Sequence, residues 1–310
     1  MQGVGLQPGG GPFRPGDTVM LVDSKNRTRL VTLATGRVVH SHSGVLPHDR
    51  LLGGPDGSIV RSDTGARFVA VRPRLADLVI GMPRGAQVIY PKDLAAIVMA
   101  ADVHPGCKVL EAGVGSGALS MALLRSGADV VGYEIRDDFA ARASSNVSRL
   151  LGDTAPYRVR QKDVYAGIDE RDLDRVLLDL PEPWRVVGHA ETALRPGGIL
   201  LCYLPSVVQV AEMRERLDRS RFGLAETVEI LERSWHVAGK AVRPDHRMVG
   251  HTGFLTYARL LTIANEPRTG ADGEAVAHAR LTGEGAEENG GGLTDVPAGT
   301  PGFEAGGTAS

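Results

Sequence analysis

From Phe13 to about Arg74, apolar and polar positions alternate in short runs broken by turn residues. Thr18-Val-Met-Leu-Val22, Leu30-Val-Thr-Leu33, Arg37-Val-Val39, Ser58-Ile-Val60 and Phe68-Val-Ala-Val71 carry the period of two that puts successive side chains on opposite faces of a strand. Pro15-Gly16, the glycine-rich stretch 53–57 and Asp63-Thr-Gly65 separate them. Together they predict a small β-barrel or sandwich. The pattern then changes. Pro91 suits the first turn of a helix, and Leu94, Ile97, Val98 and Ala101 form a stripe at helical spacing. Beyond it, predicted strands at Val109–Glu111, Asp129–Glu134, Tyr157–Arg160, Arg175–Leu178 and Ile199–Tyr203 alternate with helices near Leu119–Arg125, Asp137–Leu150, before Leu194, and Val207–Leu217. Two β-type runs, Ala225–Leu231 and Phe254–Ala258, close the pattern. Such alternation predicts an α/β domain with a parallel sheet covered on both faces, and ligands at the carboxyl ends of its strands.

This reading divides the 310 residues into a frayed segment 1–12, a β domain 13–80, an α/β domain 81–264 and a disordered tail 265–310. The tail is rich in Gly, Ala, Glu and Thr and lacks the large apolar groups that offset ordering entropy. Eight acids against two arginines from Glu266 onward give it −6, which leaves residues 1–265 at +4 against the chain's total of −2. A body so mildly basic permits a nucleic-acid partner without requiring one. No apolar run has membrane-spanning length and no basic-then-apolar signal opens the chain, so a cytoplasmic protein is expected. The two cysteines, Cys107 and Cys202, fall at predicted strands and have no ligand spacing, which points to core positions.

The chemistry concentrates at strand ends. Val109-Leu-Glu-Ala-Gly-Val-Gly-Ser-Gly117 runs from a strand into three alternating glycines, and 21 positions after Gly113 the next strand ends on Glu134. Glycines allow a tight turn and close backbone approach, and an acid at the second strand's end suits ribose hydroxyls. A dinucleotide site would show G-x-G-x-x-G and would face its pyrophosphate with a helix N-terminus. Here the spacing is G-x-G-x-G with Glu111 before it, which disfavours phosphate and suits the amino group of S-adenosylmethionine. Lys162-Asp163, Asp179-Leu-Pro-Glu-Pro-Trp184 and Tyr203 end the following strands. Asp163 can accept from an adenine amino group. Asp179, in a loop stiffened by Pro181 and Pro183, can bond an exocyclic amine or cap a helix. Trp184 can stack on a base or pack beneath the loop. Ser116, with glycines directly beside it, lacks the spacing of a nucleophile elbow. His40, His42 and His48 leave a metal site open, without a further ligand to complete it.

Several motifs in order are specific. Met82-Pro-Arg-Gly-Ala-Gln-Val-Ile-Tyr-Pro-Lys-Asp93, the glycine run, Asp179–Trp184, His40–Gly44, Trp235–Gly239, Val242–Pro244 and Gly250–Phe254 resemble the tRNA (adenine-58-N1)-methyltransferases of the TrmI type, the actinobacterial branch above all. The resemblance covers about residues 13–262. It implies a Rossmann-like class I methyltransferase domain behind a small N-terminal β domain, assembled as a homotetramer, that methylates N1 of adenosine 58 in the tRNA T-loop. Carried over by motif, Gln87, Gly113, Val114, Gly115, Ser116 and Gly117 line S-adenosylmethionine. Glu134 then holds the ribose and Asp163 the adenine, while Glu111, Phe139 and Asp179 complete the cofactor set. Asp179 also binds the target amino group, with Tyr90 and Tyr203 beside the extruded base. The added Pro181 departs from the family loop. Two other readings stay open: a methyltransferase with another acceptor, and a non-catalytic tRNA-binding subunit. Arg14, Arg27 and Arg29, or Arg214, Arg216, Arg219 and Arg221, are candidates for phosphate contacts.

Overall fold

The computed structural model describes residues 11–85, 87–152 and 156–262. Apart from Gly11 and Pro12, the segments expected to be frayed or disordered lie outside the described residues. Six strands come first: β1 (Thr18–Asp23), β2 (Thr28–Thr32), β3 (Val38–Ser41), β4 (Gly44–Pro47), β5 (Ser58–Arg61) and β6 (Arg67–Val71). Four pair antiparallel in the order β2-β1-β6-β5, while β3 and β4 form a separate hairpin. Alternation along β1 buries Val19 and Leu21, which meet Phe13, Leu33, Val39, Leu46, Leu51, Phe68 and Ala70 in a small core.

A short helix, α1 (Leu75–Gly81), follows where no helical stripe marks the sequence. Its start is set by a local pair: Asp77 accepts from the backbone N–H of Arg74 at 2.9 Å and meets the Arg74 guanidinium at 2.9 Å, satisfying a free helix-end donor. Leu78 and Val79 enter the main core and Leu30 of β2 packs against it, joining the small sheet to the larger unit.

The larger unit contains α2 (Pro91–Ala100), β7 (Lys108–Ala112), α3 (Ala118–Arg125), β8 (Asp129–Glu134), α4 (Asp137–Leu151), β9 (Tyr157–Gln161), β10 (Leu173–Leu178), α5 (Val187–Ala193), β11 (Leu194–Leu204), α6 (Val207–Asp218), β12 (Phe222–Glu229), β13 (Trp235–Ala238), β14 (Ala241–Pro244) and β15 (Phe254–Leu260). Seven strands make one sheet in the order β12-β15-β11-β10-β7-β8-β9. Its two faces are buried separately. Val109, Val130 and Leu177 pack with α2 and α3, while Leu110, Val131, Val176 and Leu178 pack with α5 and α6. Ile97 of α2 is fully buried, and truncating such a side chain to Ala costs about 2–5 kcal/mol. Both cysteines are buried.

The expected parallel sheet is present in β11-β10-β7-β8-β9 and carries an antiparallel edge. β15 runs antiparallel to both β11 and β12. An antiparallel neighbour needs no crossover helix, and the chain between β12 and β15 instead leaves the sheet as an arm carrying β13 and β14. These two strands pair around Gly239-Lys240, with Gly239 at φ +58. Trp235, Val237 and Val242 of the arm are 57, 68 and 61 % exposed.

Candidate functional site

The site forms at the carboxyl ends of β7, β8, β10 and β11. Asp179 N–H bonds Ala112 O at 3.0 Å and Gly113 N–H bonds Tyr133 O at 3.1 Å, drawing three strand ends together. Gly113 has φ +84, and a Cβ there would run into the carbonyl of Asp179. Only glycine permits this approach. Gly115, also at positive φ, donates its N–H to Glu134 Oε2 at 3.0 Å. Gly117 caps α3 where a Cβ would crowd Ala143 of α4 at 3.3 Å.

Three carboxylates ring this turn. Glu134 is buried; besides Gly115 it accepts from Arg136 N–H at 3.1 Å through Oε1. Glu111 is buried beneath the turn, accepting from Ser120 Oγ at 2.6 Å, with Tyr157 OH 2.9 Å from that hydroxyl. Burial pushes its carboxyl up to about 8; the Ser120 bond opposes the shift, and the charges of Asp179 and Glu134 add to it. Asp179 is raised to about 6, by burial first and then by Glu134, and its carboxylate has no hydrogen-bond partner among the described residues.

The turn therefore offers a concave backbone without Cβ cover, acid groups beside it, and the buried Ser116 Oγ without a partner among the described residues. That donor set repels phosphate and fits a ligand with an ammonium group, a sulfonium centre and ribose hydroxyls. S-adenosylmethionine has these groups.

Other expected positions take distinct places. Asp163 is exposed and caps the 3-10 turn Val164–Ala166 by accepting from Tyr165 N–H at 2.9 Å. Gln87 lies exposed on the connection into α2. Phe139 is half-buried in the first turn of α4, with the Arg136 guanidinium 4.0 Å from its ring centroid. Tyr90 precedes α2 as its N-cap and lines a cavity of about 530 Å³ together with Leu30, Arg74, Ser234 and Arg247. Tyr203 donates to Thr252 O at 2.6 Å. Burial pushes its phenol up to about 12, and Asp93, Asp179 and Tyr90 are among the groups acting on it. Trp184 packs with Tyr165 and Leu180 against the core. Tyr165 OH receives Glu182 N–H at 3.1 Å, and Gln209 Nε2 holds Pro181 O at 2.9 Å, so the Asp179–Trp184 loop is braced from both sides.

Two residues escaped the sequence reading. Asn146, buried on α4, donates to Ser116 O at 2.9 Å and Pro83 O at 3.1 Å, stapling the glycine turn to the connection before α2. Its signal was a lone amide on the apolar stripe Ala143, Val147 and Leu150. Ile135, directly after Glu134, is 62 % exposed at the same edge, an apolar face suited to a purine. His40 and His48 line one cavity of the β domain. His48 is buried and accepts Ala34 N–H at 3.0 Å through Nδ1, and no metal-holding cluster forms among the described residues. Several candidate arginines are engaged internally: Arg27 with Asp23 at 2.6 Å, Arg29 with His40 O at 2.5 Å and Arg214 with Ala225 O at 2.6 Å. No described helix is long and apolar enough to cross a membrane.

Residues 68–243 match the family model described as the tRNA methyltransferase complex GCD14 subunit, and residues 11–60 match that of the TrmI-like N-terminal region. The tRNA (adenine(58)-N(1))-methyltransferase TrmI of Thermus thermophilus is 38 % identical over 245 residues, 78 % of this chain and 96 % of that protein. A tRNA (adenine(57)-N(1)/adenine(58)-N(1))-methyltransferase of Methanocaldococcus jannaschii is 36 % identical, over 66 % of this chain and 83 % of that one. Among solved structures, an S-adenosylmethionine-dependent O-methyltransferase from Thermotoga maritima superposes with a TM-score of 0.78 at 31 % identity, covering 83 % of this chain and 97 % of its own. The tRNA (m1A58) methyltransferase TrmI of Aquifex aeolicus gives 0.73 at 27 % identity, covering 81 % and 100 %. Carried by both family models, by relatives of matching length and by a class I methyltransferase fold, the chain belongs to the TrmI family of S-adenosylmethionine-dependent methyltransferases.

Proposed function

We propose that this protein methylates N1 of adenosine 58 in the T-loop of tRNA, and that Asp179 is the group on which recognition of the adenine turns. The observation that carries the reading is a partly buried carboxylate with no protein hydrogen bond among the described residues, set beside the glycine turn in a proline-braced loop. S-adenosylmethionine, when bound, supplies a methyl group already activated on sulfonium for in-line transfer to a ring nitrogen. Gly113, Val114, Gly115, Ser116 and Gly117 line its amino-acid and ribose portions, with Glu111 beneath them. Glu134, whose two oxygens each accept one backbone N–H, would hold the ribose hydroxyls with its remaining lone pairs. Asp163, Ile135, Gln87 and Phe139 bound the adenine end.

Neutral adenine N1 carries a lone pair, so no base need deprotonate it. As the new bond forms, positive charge spreads to the exocyclic amine, and Asp179 faces that charge from a site poor in water. Preorganised electrostatics of this kind are worth about 3–4 kcal/mol. N1 lies on a pairing edge, so the base must be extruded before reaction, and Tyr90 and Tyr203 receive it. The relatives' activities support tRNA as the acceptor, and an intact set of glycines and acids fits a catalytic rather than a purely tRNA-binding chain. The exposed apolar side chains of β13 and β14 support self-assembly into a homotetramer. The protein is assigned to the cytoplasm, where tRNA substrates reside.

A second reading is favoured by one observation, the Thermotoga maritima relative described as an O-methyltransferase. A hydroxyl acceptor, unlike N1, must lose its proton. Transfer of labelled methyl groups to an unmodified tRNA transcript, and to one in which adenosine 58 is replaced by guanosine, tests the choice. Label in the first alone supports the proposal; equal label in both, or in neither, sinks it.

A further inference from the structure

The connection between β12 and β15 leaves the sheet at Ile230 and returns at Thr252, and both ends are fastened to one side chain. Lys92, in the first turn of α2, places Nζ 2.8 Å from Ile230 O, 2.6 Å from Thr252 Oγ1 and 2.7 Å from Asp93 Oδ1. Three acceptors match the three protons of an ammonium group. Asp93 is fully buried, and its other oxygen accepts from Thr252 Oγ1 at 2.7 Å. The hydroxyl thus accepts from Lys92 and donates to Asp93, closing a ring of part-buried charge-assisted bonds. Such a ring is rigid because breaking any link strands a charge out of water.

Thr252 carries the ring onward. Its carbonyl accepts the Tyr203 hydroxyl at 2.6 Å, and the next residue, Gly253, lies so close to the Tyr203 ring that a Cβ there would overlap it. Tyr90, at the start of the helix that bears Lys92 and Asp93, is the other aromatic group on the acceptor side. His251 braces the same return point, with Nδ1 2.6 Å from Glu229 Oε1 and Nε2 2.9 Å from Pro205 O.

We infer that the Lys92–Asp93–Thr252 ring is a positioning device for the methyl-acceptor site, holding the Tyr203 hydroxyl and ring in register with Tyr90 and tying both to the base of the exposed arm. None of the three touches the reacting atoms; each acts through Tyr203. The inference rests on the proposed acceptor role of Tyr203. A ring that only stabilised the fold would have no reason to end on that hydroxyl. Misplacement of an acceptor group by about 1 Å costs up to 10²-fold in rate, so loosening the return of the arm should lower turnover without touching the cofactor pocket.

Lys92→Met leaves Asp93 as an unpaired buried charge and tests folding as much as position, so the decisive substitution is Thr252→Val, which removes the hydroxyl and keeps the shape. Thr252→Ser restores it. The full-length protein is labelled with fluorotyrosine; the chain has six tyrosines, and the Tyr203 resonance is identified by its loss in Tyr203→Phe. Thr252→Val should shift or broaden that resonance and lower kcat for tRNA methylation by roughly tenfold or more, with cofactor Kd within about twofold. Thr252→Ser should return both to wild type. Thr252→Val combined with Tyr203→Phe should be no slower than Tyr203→Phe alone, because the effects share one route. An unmoved Tyr203 resonance in Thr252→Val, or additive losses in the double variant, overturns the inference. Wild-type protein that methylates no tRNA would remove the proposed function, while the Tyr203 resonance would still decide whether the ring positions that side chain.

Discussion

Asp179 ties the site's electrostatics to a measurable rate. Its carboxyl is raised from 3.8 to about 6 by burial and by the charge of Glu134. If the ionised form is what faces the developing positive charge, kcat/KM at low substrate follows its ionised fraction. That fraction is about 0.9 at pH 7 and about 0.1 at pH 5 for a group near 6, so the rate should fall about tenfold between them. An aspartate at its ordinary value would stay almost fully ionised at pH 5, and the same comparison would show almost no change. Two variants sharpen the reading. Asp179→Asn should lose about 10²–10³-fold in kcat and flatten the acid limb, while cofactor Kd measured by calorimetry changes by less than about threefold. Glu134→Gln removes a charge that raises Asp179, so its acid limb should move to lower pH whatever happens to the plateau. A wild-type profile flat from pH 7 to 5, or an acid limb surviving unchanged in Asp179→Asn, would refute the reasoning.

Other consequences follow from single residues. Glu111 is raised from 4.5 to about 8 by burial, so the contribution of its neutral form to stability is fully present below pH 4.5 and is lost as pH rises through 8. The full loss is about 5 kcal/mol, and thermal melts without cofactor should show Glu111→Gln gaining on wild type from pH 5 to 8 and levelling off above. Gly113→Ala forces a Cβ against Asp179 at φ +84; positive φ alone costs roughly 1–2 kcal/mol, so both melting temperature and cofactor affinity should drop, and unchanged calorimetry would show that the turn is not the cofactor seat. Trp235→Ser with Val237→Ser replaces two exposed apolar groups of the arm; light scattering should show a smaller assembly than wild type, and an unaltered mass would place the interface elsewhere.

The elements that carry the candidate cofactor site were legible because their signals are local. The glycines of 113–117 sit where β7 meets α3, Glu134 ends a strand whose predicted and observed bounds coincide, and Pro91 opens α2. The misses have physical causes as well. α1 is seven residues long, too short for a periodic stripe, and owes its start to the Arg74–Asp77 pair. The sequence read β12 and β15 as strands but not their direction, because direction depends on how the chain returns from the arm rather than on side-chain alternation. β13 and β14 expose their apolar residues, which inverts the burial rule that a pattern reading uses. Asn146 and Thr252 are polar groups whose role exists only through partners far along the chain; Lys92 and Thr252 are separated by 160 positions, and no window of local sequence joins them. Asp163 was read as an adenine contact, and in the structure its Oδ1 caps the turn that follows β9.

The most direct test of the account is the identity of the methylated atom. Unmodified tRNA transcript incubated with the purified protein and S-adenosylmethionine, then digested to nucleosides and separated with mass detection, should contain 1-methyladenosine as its new product, and the product should shrink about 10²–10³-fold with Asp179→Asn. A new 2′-O-methyl or N6-methyl nucleoside in its place, or 1-methyladenosine formed equally well by Asp179→Asn, would contradict the claim that an unpaired carboxylate orients N1 of adenine toward the methyl group.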